Sequence, residues 1–84
     1  MNKRHQRILA AVFARPTRGT IAWTAFVGLM RALGADCEEA EGSRVRFMLR
    51  GEPVILHRPH PGRELRKYQV EQIRDYFERK GIRP

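Results

Sequence analysis

The chain of 84 residues suffices for one small domain with a single hydrophobic core; 42% of it is hydrophobic, and its net charge is +8. No apolar run approaches the roughly 18 residues of a membrane span, and no signal-peptide cleavage site follows the basic start, so we expect a soluble cytoplasmic protein without membrane partners. A single cysteine, Cys37, excludes an internal disulfide, and three scattered histidines complete no zinc site, so neither a metal nor a cofactor is expected.

The charges are unevenly distributed along the chain. Residues 1–34 carry six bases and no acid, residues 35–41 carry four acids and no base, and the remainder carries eleven bases and five acids. Fourteen of the seventeen bases are arginine, whose planar guanidinium suits phosphate. The pattern favours a nucleic-acid partner. The alternatives are bases that only keep the domain soluble, or a GC-rich genome that favours arginine.

Two helices are predicted before the first strand. The first covers residues 2–14, and the second covers residues 23–33 and ends at Gly34. A turn cluster, residues 16–19, separates them. The apolar faces of the two helices are Ile8, Leu9, Val12 and Phe13 in the first, and Trp23, Phe26, Val27, Met30 and Leu33 in the second.

A small antiparallel sheet is predicted next. Residues 37–41 are predicted to form a short acidic strand with a weak signal. Three roles are open for the acidic residues: a solvated edge, repulsion of non-cognate nucleic acid, or a binding site for a basic partner. Residues 43–49 and 53–57 form a hairpin that turns at Arg50-Gly51, so facing residues have numbers that sum to 101. The predicted pairs are Val45 with Leu56 and Phe47 with Val54 on an apolar face, and Arg44 with His57, Arg46 with Ile55 and Met48 with Pro53 on a polar face.

A last helix over residues 66–80 completes an α+β domain that spans residues 1–84. Val70, Ile73 and Phe77 point inward in this prediction, and Tyr76 flanks them. For the rings of Tyr68 and Tyr76, core and rim are both open. Two ion pairs are expected on the outer face of this helix, Glu71 with Arg74 and Asp75 with Arg79.

The polar sheet face offers the chemistry that the rest of the chain lacks. No Gly-rich phosphate loop, nucleophile elbow or carboxylate pair is present. His57 beside Arg44 could take a proton from a ribose 2′-hydroxyl or give one to a leaving oxygen, while the guanidinium stabilises charge on the phosphate. His60 follows three residues later. The alternative is that both histidines only bond to the backbone of a proline-rich loop. The residues expected to contact RNA are Ser43, Arg44, Arg46, Arg58 and Lys67.

Several features share the order and spacing of a known family. They are a helix ending at Leu33-Gly34, the strand opening Glu41-Gly42-Ser43, Phe47, the turn from His57 through Arg58, Pro59, His60 and Pro61 to Gly62, then Glu64-Leu65, and a final helix with Val70 and Ile73 before Gly81. Together they resemble the HicA family of bacterial toxin–antitoxin ribonucleases over residues 22–83. The resemblance implies a core like the double-stranded-RNA-binding domain, with the order α-β-β-β-α.

The family resemblance also implies a function. It implies a stress-response endonuclease, a hydrolase that cleaves mRNA without a metal and that a HicB-like antitoxin neutralises. The family motif is Gly-Ser-His, whereas this chain has Gly42-Ser43-Arg44, and arginine does not transfer protons at neutral pH. His60 matches a later family histidine, and His57 is an additional one. The resemblance gives Arg44 and His60 as candidate catalytic residues, and the hairpin register adds His57 opposite Arg44. Either His57 has taken over the role of the family histidine, or the protein is a HicA-like RNA binder with little or no cleavage.

Residues 1–20 form a helical extension before the part that resembles the family. It is either a decoration of a subgroup or an element that docks the antitoxin. Two other functions remain open for the whole chain. One is a non-catalytic RNA- or DNA-binding module of the same fold, and the other is a structural protein whose basic face binds an acidic protein.

Overall fold

A computed structural model describes residues 1–60 and 62–84. In chain order its elements are α1 (Lys3–Phe13), α2 (Trp23–Ala32), β1 (Asp36–Glu39), β2 (Arg44–Leu49), β3 (Glu52–His57) and α3 (Lys67–Arg79). This order confirms the predicted α+β class and the α-β-β-β-α core behind a first helix. None of the helices in the described ranges has the length and apolar character needed to cross a bilayer.

The three strands form one antiparallel sheet in the order β1-β2-β3. The two residues of the β2–β3 turn both have positive φ, 51° at Arg50 and 79° at Gly51, as in the two-residue turns that match the twist of a hairpin. The turn fixes the register, and Arg44 pairs with His57 as predicted. The first strand begins one residue earlier and ends two residues earlier than predicted.

The buried face of the sheet packs on an aromatic cluster of α2. The Phe47 ring lies 5.3 Å from that of Phe26 and 5.9 Å from that of Trp23, both in edge-to-face geometry. Phe47 and Phe26 are completely buried. Such ring pairs add about 0.5–1.5 kcal/mol each beyond the area that they bury. The prediction that these aromatic residues form the core is confirmed.

The sequence left the Tyr76 ring open between core and rim, and the structure buries it. Only 1% of its surface is exposed. The hydroxyl donates a hydrogen bond to the Glu52 carbonyl at 2.6 Å, which gives the buried polar end a partner at the start of β3. Burial raises the pKa of the Tyr76 phenol, which therefore stays protonated as a donor. The other tyrosine, Tyr68, is exposed.

The prediction of two ion pairs on the outer face of α3 was wrong. Arg74 is buried, with 4% of its surface exposed, because it lies on the same face as Ile73 and Phe77. Spacings of three and four residues from the neighbouring apolar positions were the signal for this placement. Arg79 pairs with Glu52 of β3 at 2.8 Å instead of with Asp75.

Arg74 joins α3 to the end of α1. Its Nε donates to the Val12 carbonyl at 3.0 Å, and its Nη2 donates to the Ala14 carbonyl at 3.2 Å and to the Thr17 hydroxyl at 3.0 Å. Carbonyls at a helix C-terminus have no partner within the helix, and a guanidinium satisfies them while matching the negative end of the helix dipole. The Phe13 ring stacks on Phe77 at 6.5 Å beside this contact. The first helix therefore packs into the core.

Candidate nucleic-acid interface

The end of the hairpin brings Arg44 and His57 together. They are cross-strand partners, and the neighbouring pair is linked by a 2.7 Å hydrogen bond from the Arg58 amide to the Ser43 carbonyl. Hydrogen-bonded and non-hydrogen-bonded pairs alternate along antiparallel strands, so Arg44 and His57 form a non-hydrogen-bonded pair, in which Cα atoms lie about 4.5 Å apart and side chains are closest. The Arg44 guanidinium and the His57 imidazole therefore extend side by side from the solvent-facing surface of the sheet.

Ser43 positions the His57 ring. Its hydroxyl oxygen lies 3.2 Å from His57 Nδ1, and both side chains are exposed. A neutral ring that donates from Nδ1 to the hydroxyl leaves Nε2 able to accept a proton, whereas a ring that accepts at Nδ1 carries its proton on Nε2. One hydrogen bond therefore suits both a proton acceptor and a proton donor at Nε2.

Gln69 is a site residue that the sequence analysis missed. Its side chain is buried, Nε2 donates to the His57 carbonyl at 2.9 Å, and Oε1 accepts from the Arg66 amide at 2.9 Å. The first turn of α3 is thereby tied to the end of β3. A glutamine three residues after the residue that precedes a helix is typical of a capping contact, and this spacing was the available signal.

Two of the predicted RNA contacts are engaged by β1. Arg46 donates to the Glu38 carboxylate at 3.2 Å, and Arg58 donates to the Glu39 carboxylate. The Arg58 hydrogen bond, with its charge as the second cause, holds the pKa of the Glu39 carboxyl below its usual range. Both pairs are largely exposed to water. Glu38 lies opposite Arg46 on the solvent-facing side of the sheet, whereas Glu39 lies opposite the buried Val45.

The remaining predicted residues lie around this pair of strands. Arg44 donates to the Glu41 carbonyl at 3.4 Å and has no carboxylate partner within the described ranges. Lys67 is the exposed first residue of α3, and its side chain passes close to Gly19. His60 is exposed in the bend after β3, without a hydrogen bond to another described residue. Pro61, predicted in the same loop, lies outside the described residues.

The structure therefore brings Ser43, Arg44 and His57 together, and shows no hydrogen bond from these residues to His60. The catalytic and RNA-binding roles of all these residues stay predictions. Within residues 1–60 and 62–84, no three His, Cys, Asp or Glu side chains lie close enough together to hold a metal ion.

Comparison with known proteins identifies one family. The family model described as "HicA toxin of bacterial toxin-antitoxin" matches residues 23–81, which run from the start of α2 to the glycine after α3. Neither the comparison with curated proteins nor the comparison with solved structures gives a match. The matched range contains the hairpin and the whole candidate interface, whereas α1 lies before it.

Proposed function

This chain belongs to the HicA family of bacterial toxin–antitoxin toxins, and on that premise we propose that it binds and cleaves mRNA and is neutralised by a HicB-like antitoxin. Membership of the family implies an antitoxin partner. The observation that carries the proposed activity is the cross-strand placement of His57 beside Arg44, with Ser43 bonded to the imidazole. A proton-transfer group and a fixed positive charge side by side suit cleavage of a phosphodiester that has a neighbouring hydroxyl.

The proposed reaction uses the 2′-hydroxyl of the RNA itself. His57 Nε2 takes the hydroxyl proton, the 2′ oxygen attacks the adjacent phosphorus, and the bond from phosphorus to the 5′ oxygen of the next nucleotide breaks. The leaving oxygen takes a proton from the imidazolium or from water. Arg44 stabilises the additional negative charge on the phosphate oxygens, because its guanidinium is protonated at every relevant pH. Ser43 keeps the ring oriented through Nδ1.

A second candidate function is a non-catalytic RNA- or DNA-binding module. The observation in its favour is Arg44 itself, which stands where the family motif has histidine and binds phosphate without transferring protons. In that case His57 is an exposed side chain at the end of β3, and the basic face binds a phosphate backbone without cutting it. The third possibility, a structural protein, would bind an acidic protein through the same face.

Expression of the wild-type chain is expected to arrest bacterial growth. The purified protein is expected to cut a mixed-sequence mRNA in the presence of EDTA, because the resemblance to HicA implies cleavage without a metal. Gel analysis of the RNA over hours gives the readout, and co-expression of a HicB-like antitoxin should restore growth. RNA that is bound for hours and recovered intact would support the binding module instead.

The double variant Arg44→Ala/Arg46→Ala is expected to bind RNA more weakly and with a weaker salt dependence. Each lost phosphate contact should reduce the slope of log K against log salt concentration by about 0.7 for a single strand. Fluorescence anisotropy of a labelled RNA over a salt series measures both quantities. The control Arg4→Ala/Arg83→Ala removes the same charge from exposed positions at the two ends of the chain. Equal effects of the two double variants would mean that the face is wrongly assigned.

A further inference from the structure

We propose that Glu38 and Glu39 lower the affinity of the sheet for RNA by competing with RNA phosphate for Arg46 and Arg58. This inference rests on the proposed RNA binding and assigns a role to the acidic strand β1. The carboxylates act as internal substitutes for phosphate: they occupy the guanidinium groups in the free protein and must be displaced before RNA can use them.

The geometry that supports this role comes from the sheet. Glu38 and Arg46 are cross-strand partners in β1 and β2, and their side chains meet at 3.2 Å on the solvent-facing surface. Arg58, the residue after β3, donates to the carboxylate of Glu39 in β1. Glu39 pairs with the buried Val45, so this second ion pair lies at the edge of the helix-packed side of the sheet. Carboxylate and phosphate bind the same N–H groups of a guanidinium, so one acceptor excludes the other.

The charges around these pairs increase the competition. A phosphate that displaces Glu38 from Arg46 leaves a carboxylate beside it, and the two like charges repel. The local acidic block of Asp36, Glu38, Glu39 and Glu41 contrasts with the net charge of +8 of the chain. Breaking the pairs and repulsion afterwards both lower the affinity for RNA.

The exposure of the pairs limits the size of the effect. The side chains of Arg46 and Arg58 are 42% and 46% exposed, and those of Glu38 and Glu39 are 68% and 74% exposed. Ion pairs in water are weak enough for a polyanion to displace. The carboxylates therefore reduce the affinity for RNA without blocking the site, because RNA phosphate can displace them from Arg46 and Arg58.

The double variant Glu38→Gln/Glu39→Gln tests the proposal, because glutamine keeps the side-chain shape and removes the charge. We expect it to bind a labelled single-stranded RNA of mixed sequence about 3- to 20-fold more tightly than wild type. The control Asp75→Asn/Glu78→Gln removes the same charge from two exposed positions of α3. At an ionic strength of about 0.15 M the Debye length is about 8 Å, so we expect less than a two-fold change in the control.

A double-mutant cycle separates release of arginine from general attraction. Glu38→Gln is expected to strengthen binding more in the wild-type background than in the Arg46→Ala background, where no guanidinium remains to be released and only the repulsion between its charge and the RNA is removed. Circular dichroism should give the same fold for every variant, because the pairs are exposed. An equal effect of Glu38→Gln in both backgrounds would overturn the proposal.

The outcomes distinguish this inference from the proposed function. If Glu38→Gln/Glu39→Gln matches its control while Arg44→Ala/Arg46→Ala still weakens binding, β1 is only a solvated edge and RNA binding stands. If neither wild type nor Glu38→Gln/Glu39→Gln binds RNA at low salt, the proposed RNA binding is wrong and this inference is wrong with it.

Discussion

Replacement of Phe47 by alanine is expected to lower the free energy of unfolding by about 3–5 kcal/mol. The ring is completely buried and contacts Trp23 and Phe26 edge to face, so its removal opens a cavity where the sheet meets α2. A small domain has only about 5–15 kcal/mol of stability in total, so the variant loses a large fraction of it. Urea denaturation followed by circular dichroism measures the loss.

Two further variants make the Phe47 result interpretable. Phe47→Leu keeps most of the apolar volume and should lose less, about 1–2 kcal/mol, so it remains measurable if the alanine variant does not fold. Ile55→Ala changes a β3 residue on the opposite, solvent-facing side of the sheet, where 47% of the residue's surface is exposed, and should lose less than about 1 kcal/mol. A Phe47→Ala variant as stable as Ile55→Ala would contradict the core packing.

Replacement of His57 by alanine is expected to abolish RNA cleavage and to relieve growth arrest. Loss of a positioned proton-transfer group reduces rates by about 10²- to 10⁴-fold. RNA affinity should change little, because the arginines of the sheet face remain. Cleavage assays and RNA-binding titrations on the same purified variant separate the two effects.

His60→Ala is the matched comparison for His57→Ala, because it removes another exposed imidazole three residues along the chain. It should reduce cleavage less, since no described residue bonds to His60, whereas His57 bonds to Ser43 and faces Arg44. A His57→Ala variant that stays fully toxic would refute the catalytic assignment. Loss of RNA binding in the same variant would instead make His57 a contact residue.

The hairpin was predictable from sequence because local geometry determines it. Arg50-Gly51 is a two-residue turn, and a tight turn leaves only one register for the residues that follow, which is why the pairing of Arg44 with His57 was correct. Apolar and polar residues alternate along β2 and β3, and this alternation was a second, independent signal. The apolar positions are the ones that the structure buries against the helices.

The features that the sequence analysis missed or predicted wrongly depend on contacts that the local sequence does not determine. The position of Glu38 opposite Arg46 follows from the register of β1, which the sequence analysis did not predict; the connection over residues 40–43 sets it, with a turn in which the Arg44 amide donates to the Glu41 carbonyl at 3.4 Å and Gly42 has a φ of 66°. Arg74 was assigned to the surface from its charge and a neighbouring acid, although its spacing matched the buried face. Charged residues enter a core only when partners exist there, and those partners belong to a helix about 60 residues earlier.

The contact between Arg74 and the end of α1 indicates that the range matched by the family model does not form a stable domain by itself. A fragment limited to residues 23–81 would contain every element that the family model covers. It would also contain a guanidinium deprived of the Val12, Ala14 and Thr17 oxygens that it binds in the intact chain. A buried charge without acceptors is costly, so such a fragment would admit water beside Phe77 or swing Arg74 outward, and either change would loosen α3. The smallest autonomous form of this toxin therefore includes the residues that precede its family signature.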